Sequence, residues 1–211
     1  MRKAPHYIAI EGPLRVGKTK LASALADHLR GRKILDAEDN QHLKSFYRGR
    51  PGAAFRAQME FLIGRFRQLS ESAIEESHVP VVADFMIEKD KLFAYLNLDD
   101  DEIAIYDTYY RYFKDQLPRP DLTVYLKATP ESIRARLDVD ADGFEARISD
   151  SYLEGAVRAF DHFFNHYKAA DVLVVDAAET DVVSNAKDLE NLLTELSKPV
   201  TGTQFFLPLG N

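Results

Sequence analysis

Eight consecutive residues have the types and spacing needed to grip a phosphate: Gly12-Pro13-Leu14-Arg15-Val16-Gly17-Lys18-Thr19. The pattern is G-x-x-x-x-G-K-T. Gly12 and Gly17 let the backbone curl around an anion with no Cβ in the way. Lys18 has the length to reach β- and γ-phosphates, and the Thr19 hydroxyl is a ligand type suited to Mg²⁺. An apolar run, Tyr7-Ile8-Ala9-Ile10, precedes the loop, and helical spacing continues from Lys20 to Arg30. Strand, loop and helix N-terminus in that order aim backbone N–H groups and the helix dipole at one point. A bland strand-to-helix turn would not fill every position of the motif. The loop therefore points to a nucleoside triphosphate, ATP, with Mg²⁺.

Carboxylates supply the other half of phosphoryl chemistry. One must orient or deprotonate the attacking hydroxyl, and another often stands near the metal. In open α/β sheets ligands sit beyond the carboxyl ends of the strands, so acids at strand ends carry the weight. Asp84 follows Val81-Val82-Ala83 and is read as a catalytic and metal-site residue together with Thr19. Asp36 and Glu38 stand at the end of the preceding strand, and both remain candidates for the general base. Asp39 and Asp176 are read as solvated loop acids or helix caps.

The rest of the chain alternates strands and helices. Periodicity and turn signals predict strands over residues 6–11, 33–36, 79–84, 121–127 and 171–176. They predict helices over 18–29, 53–76, 91–98, 101–117, from 130 onward, over 147–167 and near 182–196. Phe46-Tyr47-Arg48-Gly49-Arg50-Pro51-Gly52 reads as a helix-breaking turn. The pattern implies an α/β fold of the P-loop NTPase type, a parallel five-stranded sheet flanked by helices on both faces. A single domain over 1–211 is expected, with a lid segment near 134–147.

Composition narrows the setting. The chain carries 34 acidic against 27 basic residues, a net charge of −7, so no global basic field attracts nucleic acid. It has no cysteine, which excludes disulfides and thiolate metal sites. No apolar run approaches the ~20 residues of a membrane span. The N-terminal residues lead straight into a strand rather than a signal peptide, and the cytoplasm is the expected location.

Several segments then resemble one family. Asp39-Asn40-Gln41-His42-Leu43-Lys44-Ser45-Phe46-Tyr47, Ala54-Phe55-Arg56-Ala57-Gln58, Phe61-Leu62 and Arg65-Phe66-Arg67-Gln68 are similar to the deoxynucleoside kinases, most of all their bacterial deoxyadenosine/deoxyguanosine branch. Phe93-Ala94, Pro118-Arg119-Pro120-Asp121, Val124-Tyr125-Leu126 and Tyr152-Leu153-Glu154 extend the resemblance over nearly the whole chain. It implies transfer of the ATP γ-phosphate to the 5′-hydroxyl of a deoxynucleoside, a purine one for this branch, by a homodimer. It implies a general base in the Asp36/Glu38 neighbourhood and a base-binding amide at Gln58, which offers both a donor and an acceptor. Arg65 matches an arginine near the family's active site, and Tyr47 and Phe55 fall in the substrate-binding segments.

Two departures stand out. The family has an acid followed by arginine after the third strand, whereas this chain has Asp84-Phe85-Met86; Lys89 and Lys91 are the cations left nearby. An ammonium cannot copy a bidentate guanidinium. The family lid places arginines just ahead of a glutamate, but here Asp138, Asp140 and Asp142 precede Glu145. Arg134, Arg136 and Arg147 remain as lid cations, and Arg136, nearest the acidic loop, is the one chosen. Asp138-Val139-Asp140-Ala141-Asp142-Gly143 also imitates the start of a calcium loop, but Ser149 replaces the bidentate Glu that position twelve needs. Two rival functions stay open: a nucleoside monophosphate kinase, using Arg48, Arg50, Arg56, Arg65 and Arg67 for a second phosphate, and a nucleotide-binding regulatory protein without turnover.

Overall fold

The computed structural model describes residues 4–37, 39–140, 147–182 and 184–207. Its elements run β1 (Tyr7–Glu11), α1 (Lys18–His28), β2 (Arg32–Ile34), α2 (Leu43–Tyr47), α3 (Ala53–Glu71), β3 (Val81–Ala83), α4 (Ile87–Asn97) and α5 (Asp100–Lys114). They continue β4 (Leu122–Lys127), α6 (Pro130–Asp140), α7 (Asp150–His166), β5 (Asp171–Asp176), α8 (Ala186–Leu196) and β6 (Thr203–Phe206). Each strand pair is parallel, in the order β2-β3-β1-β4-β5-β6.

The expected five strands become six. The segment Thr203-Gln204-Phe205-Phe206, just past the left-handed Gly202, forms β6, whose Val172–Thr203 to Val175–Phe206 register completes an edge of the sheet. Its β-branched and aromatic content suits a strand, but four residues are too few for a periodic signal.

The all-buried pattern of β1 shows why the sheet carries helices on both faces. Ile8 and Ile10 pack with Leu21 and Leu25 of α1 on one side. Tyr7 packs on the other with Leu62 and Leu69 of α3, and Ala9 with Phe160 and Phe164 of α7. Alternate side chains of a strand point to opposite faces, so one five-residue segment anchors both helical layers.

Helix boundaries differ from expectation where local signals compete. α3 stops at Glu71 rather than continuing to 76, and Ala73 takes a left-handed φ of 45° just beyond it. α4 begins at Ile87, four residues before the expected 91, with Glu88 and Asp90 in its first turn complementing the helix dipole. That early start points Lys89 and Asp90 into the molecule. α5 opens with a reciprocal cap between Asp99 and Glu102.

Candidate active site

β1 is flanked by β3 on one side and β4 on the other, so the strand order reverses at its carboxyl end. A crevice opens there by topology alone. Gly12 lies so close to β4 that a Cβ would meet the Leu126 carbonyl oxygen at 2.5 Å. Gly17 caps α1 with φ of 95°, and Arg15 between them takes a left-handed φ of 56°. Such a conformation costs a non-glycine residue ~1–2 kcal/mol and persists where the surroundings impose it.

Lys18 bends back into this loop, its Nζ donating to the carbonyls of Gly12 at 3.0 Å and Pro13 at 2.5 Å. Desolvation, then the nearby Lys89 ammonium, lowers the Lys18 pKa to about 8. The Thr19 hydroxyl donates to Asp84 Oδ2 at 2.5 Å, and Asp84 Oδ1 accepts the Asp36 N–H at 2.6 Å. Asp84 is buried at the end of β3. A hydroxyl and a carboxylate side by side beneath the loop form a hard-oxygen pair of the kind that binds Mg²⁺ through one or two protein ligands and phosphate.

Asp36 lines the same cavity and faces two cations. Arg65 donates from Nε to Oδ1 at 3.0 Å and from Nη2 to Oδ2 at 2.9 Å, and Lys89 Nζ donates to Oδ2 at 2.7 Å. Burial opposes its charge, yet Lys89 and Arg65 outweigh burial and hold the carboxyl well below the usual range. Glu38, the other candidate base, lies outside the described residues.

The third donor of Arg65, Nη1, binds Asp90 Oδ2 at 2.7 Å. Asp90 is fully buried, and burial raises its pKa against the opposing Arg65. Its other oxygen accepts from Tyr106 Oη at 3.2 Å and from Gln58 Nε2, which also donates to the Asp90 carbonyl at 2.9 Å. Gln58 thus lines the cavity with its amide nitrogen fixed from behind.

One cavity of about 520 Å³ is lined by Pro13–Lys20, Asp36, Gln58, Arg65 and Asp84 and extends to Asn97 and Tyr152, with Asp90 behind its wall. That is within the usual range for a small-molecule site. Gln58, Phe61 and Arg65 share the cavity face of α3, with Ala54 and Ala57. Tyr47 lines it too. Phe55 does not: it packs on the other face of α3, against the Leu62 and Leu69 cluster. Residues three or four apart share a helix face, and residue 55 falls in register with 59, 62 and 66 of the same cluster.

The lid candidates separate. Arg136 Nη1 donates to the Arg15 carbonyl at 3.2 Å and Nη2 to the Ala177 carbonyl at 2.7 Å, bridging the phosphate loop and the loop after β5. Arg134 turns away, binding Asp150 at 2.9 Å and the Ile148 carbonyl. Arg147 is exposed. Asp138 and Asp140, the first two acids of the calcium-like segment, lie in α6, while residues 141–146, with Asp142 and Glu145, lie outside the described residues.

Two site residues escaped the sequence reading. Asp90 gave no signal, because its inward direction depends on where α4 starts. Glu11 did give one: an acid ending an apolar strand directly before Gly12. It is 1% exposed, its oxygens accepting the Met86 N–H at 2.7 Å and the Gly12 N–H at 3.2 Å. Burial pushes its carboxyl up to about 7 despite Lys89 and Lys18 nearby.

A phosphate loop, a hydroxyl–carboxylate pair beneath it and a cavity at the sheet's switch point define a P-loop α/β nucleotide-binding protein. A family profile described as deoxynucleoside kinase matches residues 8–201. The deoxyguanosine kinase of Bacillus subtilis is 32% identical over 205 residues, covering 94% of this chain and 99% of the relative. The deoxyadenosine kinase of Dictyostelium discoideum is 31% identical over 163 residues, 74% of this chain and 66% of the relative. The chain belongs to the deoxynucleoside kinase family. Its fold is similar to that of M. mycoides deoxyadenosine kinase with bound dATP, at a TM-score of 0.77 and 21% identity over 91% of this chain and 100% of the other.

Proposed function

We propose that this chain transfers the γ-phosphoryl group of ATP to the 5′-hydroxyl of a purine deoxynucleoside. The observation that supports the reading is that Lys18, Thr19, Asp36 and Gln58 line one and the same cavity. Relatives named deoxyguanosine and deoxyadenosine kinase support the purine acceptor.

In this reading the phosphate loop and Lys18 hold the triphosphate, and Gln58, its nitrogen held by Asp90, offers its amide oxygen to the edge of the base. Asp36 orients the 5′-hydroxyl and accepts its proton. Arg65 keeps Asp36 in place through two hydrogen bonds. Asp90 in turn fixes both Arg65 and Gln58. Tyr47 borders the sugar, and Arg136 spans the ATP side between Arg15 and Ala177. Thr19 and Asp84 would hold Mg²⁺, which supplies charge neutralisation across the β- and γ-phosphate oxygens when bound.

A monophosphate acceptor would require free arginines near the hydroxyl. Arg65 is instead engaged by two carboxylates, and Arg56 donates to the Pro51 carbonyl at 3.2 Å. That favours a nucleoside acceptor. Exposed Ile105, Tyr109 and Tyr112 recur along one face of α5 with Tyr95 of α4 beside them. They supply the apolar surface through which we infer a homodimer. Among the described residues no helix is long and apolar enough to cross a membrane, and the cytoplasm is the proposed location.

The test is an assay of the purified protein with ATP·Mg²⁺ against nucleosides, deoxynucleosides and their monophosphates. Turnover of purine deoxynucleosides supports the reading. Turnover of monophosphates alone, or ATP binding without transfer, overturns it.

A further inference from the structure

We propose that Lys89 is a catalytic residue whose ammonium holds Asp36 in the ligand-free protein and moves onto the transferring phosphoryl group when ATP and nucleoside are bound. The inference rests on the phosphotransferase reading above. Asp84 is followed by Phe85 and Met86, so no cation adjoins the third strand's acid. Phe85 and Met86 are buried in the core and offer nothing to a phosphate. The early start of α4 fills the gap from five residues further on.

Lys89 lines the same cavity as Lys18 and Asp84, with its side chain only 12% exposed. Its Nζ lies 2.7 Å from Asp36 Oδ2. Lys91, by contrast, faces outward, 3.5 Å from Asp107 and over the Tyr95 ring.

The cations around Asp36 differ in their freedom to move. Arg65 places Nε and Nη2 on Asp36 and Nη1 on Asp90, so displacing it strands buried carboxylates. Lys89 has Asp36 as its sole ion-pair partner among the described residues. When it leaves, both Asp36 oxygens keep an Arg65 hydrogen bond. Three rotatable donors on a flexible stem allow that exchange, which a fixed guanidinium fork does not.

Two ammoniums, Lys18 and Lys89, repel each other across this part of the cavity. An anion that reaches both is attracted by both, and a cation within the cavity acts most strongly where charge develops. In the transfer step the 5′-oxygen bonds to the γ-phosphorus as the bond to the β-phosphate oxygen breaks. The electron pair of that bond leaves with ADP, and the hydroxyl proton passes to Asp36. Lys89 meets the charge on the oxygens of the group in transit, and no further reactant is required.

The experiment compares kcat and both KM values for Lys89→Met, Lys89→Arg and Lys91→Met with the parent. Lys89→Met is expected to lower kcat ~100-fold or more. Its nucleoside KM should stay within about threefold, because the lost contact belongs to the transition state. Lys89→Arg should recover roughly tenfold of that loss by restoring charge without the ammonium's geometry. Lys91→Met should behave as the parent. A kcat for Lys89→Met within about threefold of the parent, or a loss confined to nucleoside KM, overturns the proposal.

Should Lys89→Met not fold, the unaltered protein decides. The ¹³Cε resonance of Lys89, assigned by its loss in Lys89→Arg, should move when a non-hydrolysable ATP analogue joins the nucleoside complex. A resonance that stays put means the ammonium stays on Asp36, and the proposal fails. A parent protein that phosphorylates no nucleoside would instead sink the underlying reading.

Discussion

Arg65 grips Asp36 at two points, Nε to Oδ1 at 3.0 Å and Nη2 to Oδ2 at 2.9 Å. Because its remaining Nη1 holds Asp90 at 2.7 Å, one guanidinium couples the phosphoryl-transfer end of the cavity to the wall that carries Gln58. Both ends lie on buried or nearly buried side chains, where solvent screens little.

Arg65→Met should therefore damage stability as well as activity. Removing one partner of a buried ion pair typically costs ~3–5 kcal/mol, here because Asp90 loses its guanidinium partner and Asp36 is left with Lys89. For a chain of this size that corresponds to a fall in Tm of roughly 10 °C. Thermal denaturation near neutral pH checks it. An unchanged Tm would mean that Asp36 and Asp90 find water or Lys89 instead.

Lys18→Ala should abolish phosphorylation, with at least a ~10²-fold loss in rate, while the fold survives, because Lys18 contacts loop carbonyls rather than core. The parent carries a related pH signature. The Lys18 pKa is lowered to about 8 in the ligand-free protein, so its neutral form dominates above that pH. The triphosphate binds the charged form. kcat/KM for ATP should thus be level below the Lys18 pKa and fall as pH rises through it, approaching tenfold per pH unit. Steady-state kinetics across that range would show a flat profile if another group dominates.

Gln58→Ala should raise the nucleoside KM more than the ATP KM. The lost amide contact to the base weighs ~1–3 kcal/mol, whereas Asp90 Oδ1 keeps its Tyr106 donor. Equal effects on both substrates would remove Gln58 from the base pocket.

How much of this was legible beforehand divides along physical lines. The loop from Gly12 to Thr19 announces itself because its chemistry depends on consecutive residues. Asp84 was legible as an acid ending an apolar strand. The Asp36–Arg65–Asp90–Gln58 chain was not, since it joins the end of β2 to α3 and α4 across gaps of 25 to 32 residues. No local pattern encodes such meetings. Which residues of α3 face the cavity is hidden for a related reason: family-like segments identify a helix, while its rotation is fixed by what packs beneath it. β6 was invisible because a four-residue edge strand has too few positions for a period.

Arg136 and Arg134 offer a paired comparison on α6, where residues two apart point in divergent directions. Arg136→Ala should lower kcat/KM for ATP by roughly 10²-fold with nucleoside KM little changed, since it bridges Arg15 and Ala177 on the ATP side. Arg134→Ala breaks a pair whose Asp150 is 78% exposed, and exposed pairs contribute about 1 kcal/mol at most. It should be nearly silent in turnover. The reverse ranking would reassign the two residues.

The central claim is that this cavity passes a phosphoryl group from ATP to a nucleoside hydroxyl. Its most direct measurement follows both products when the parent protein is given ATP·Mg²⁺ and a purine deoxynucleoside. Equimolar ADP and deoxynucleoside 5′-monophosphate, absent when Lys18→Ala replaces the parent, is the result expected. ADP without the monophosphate, or phosphorylation only when a nucleoside monophosphate is supplied, would contradict the account.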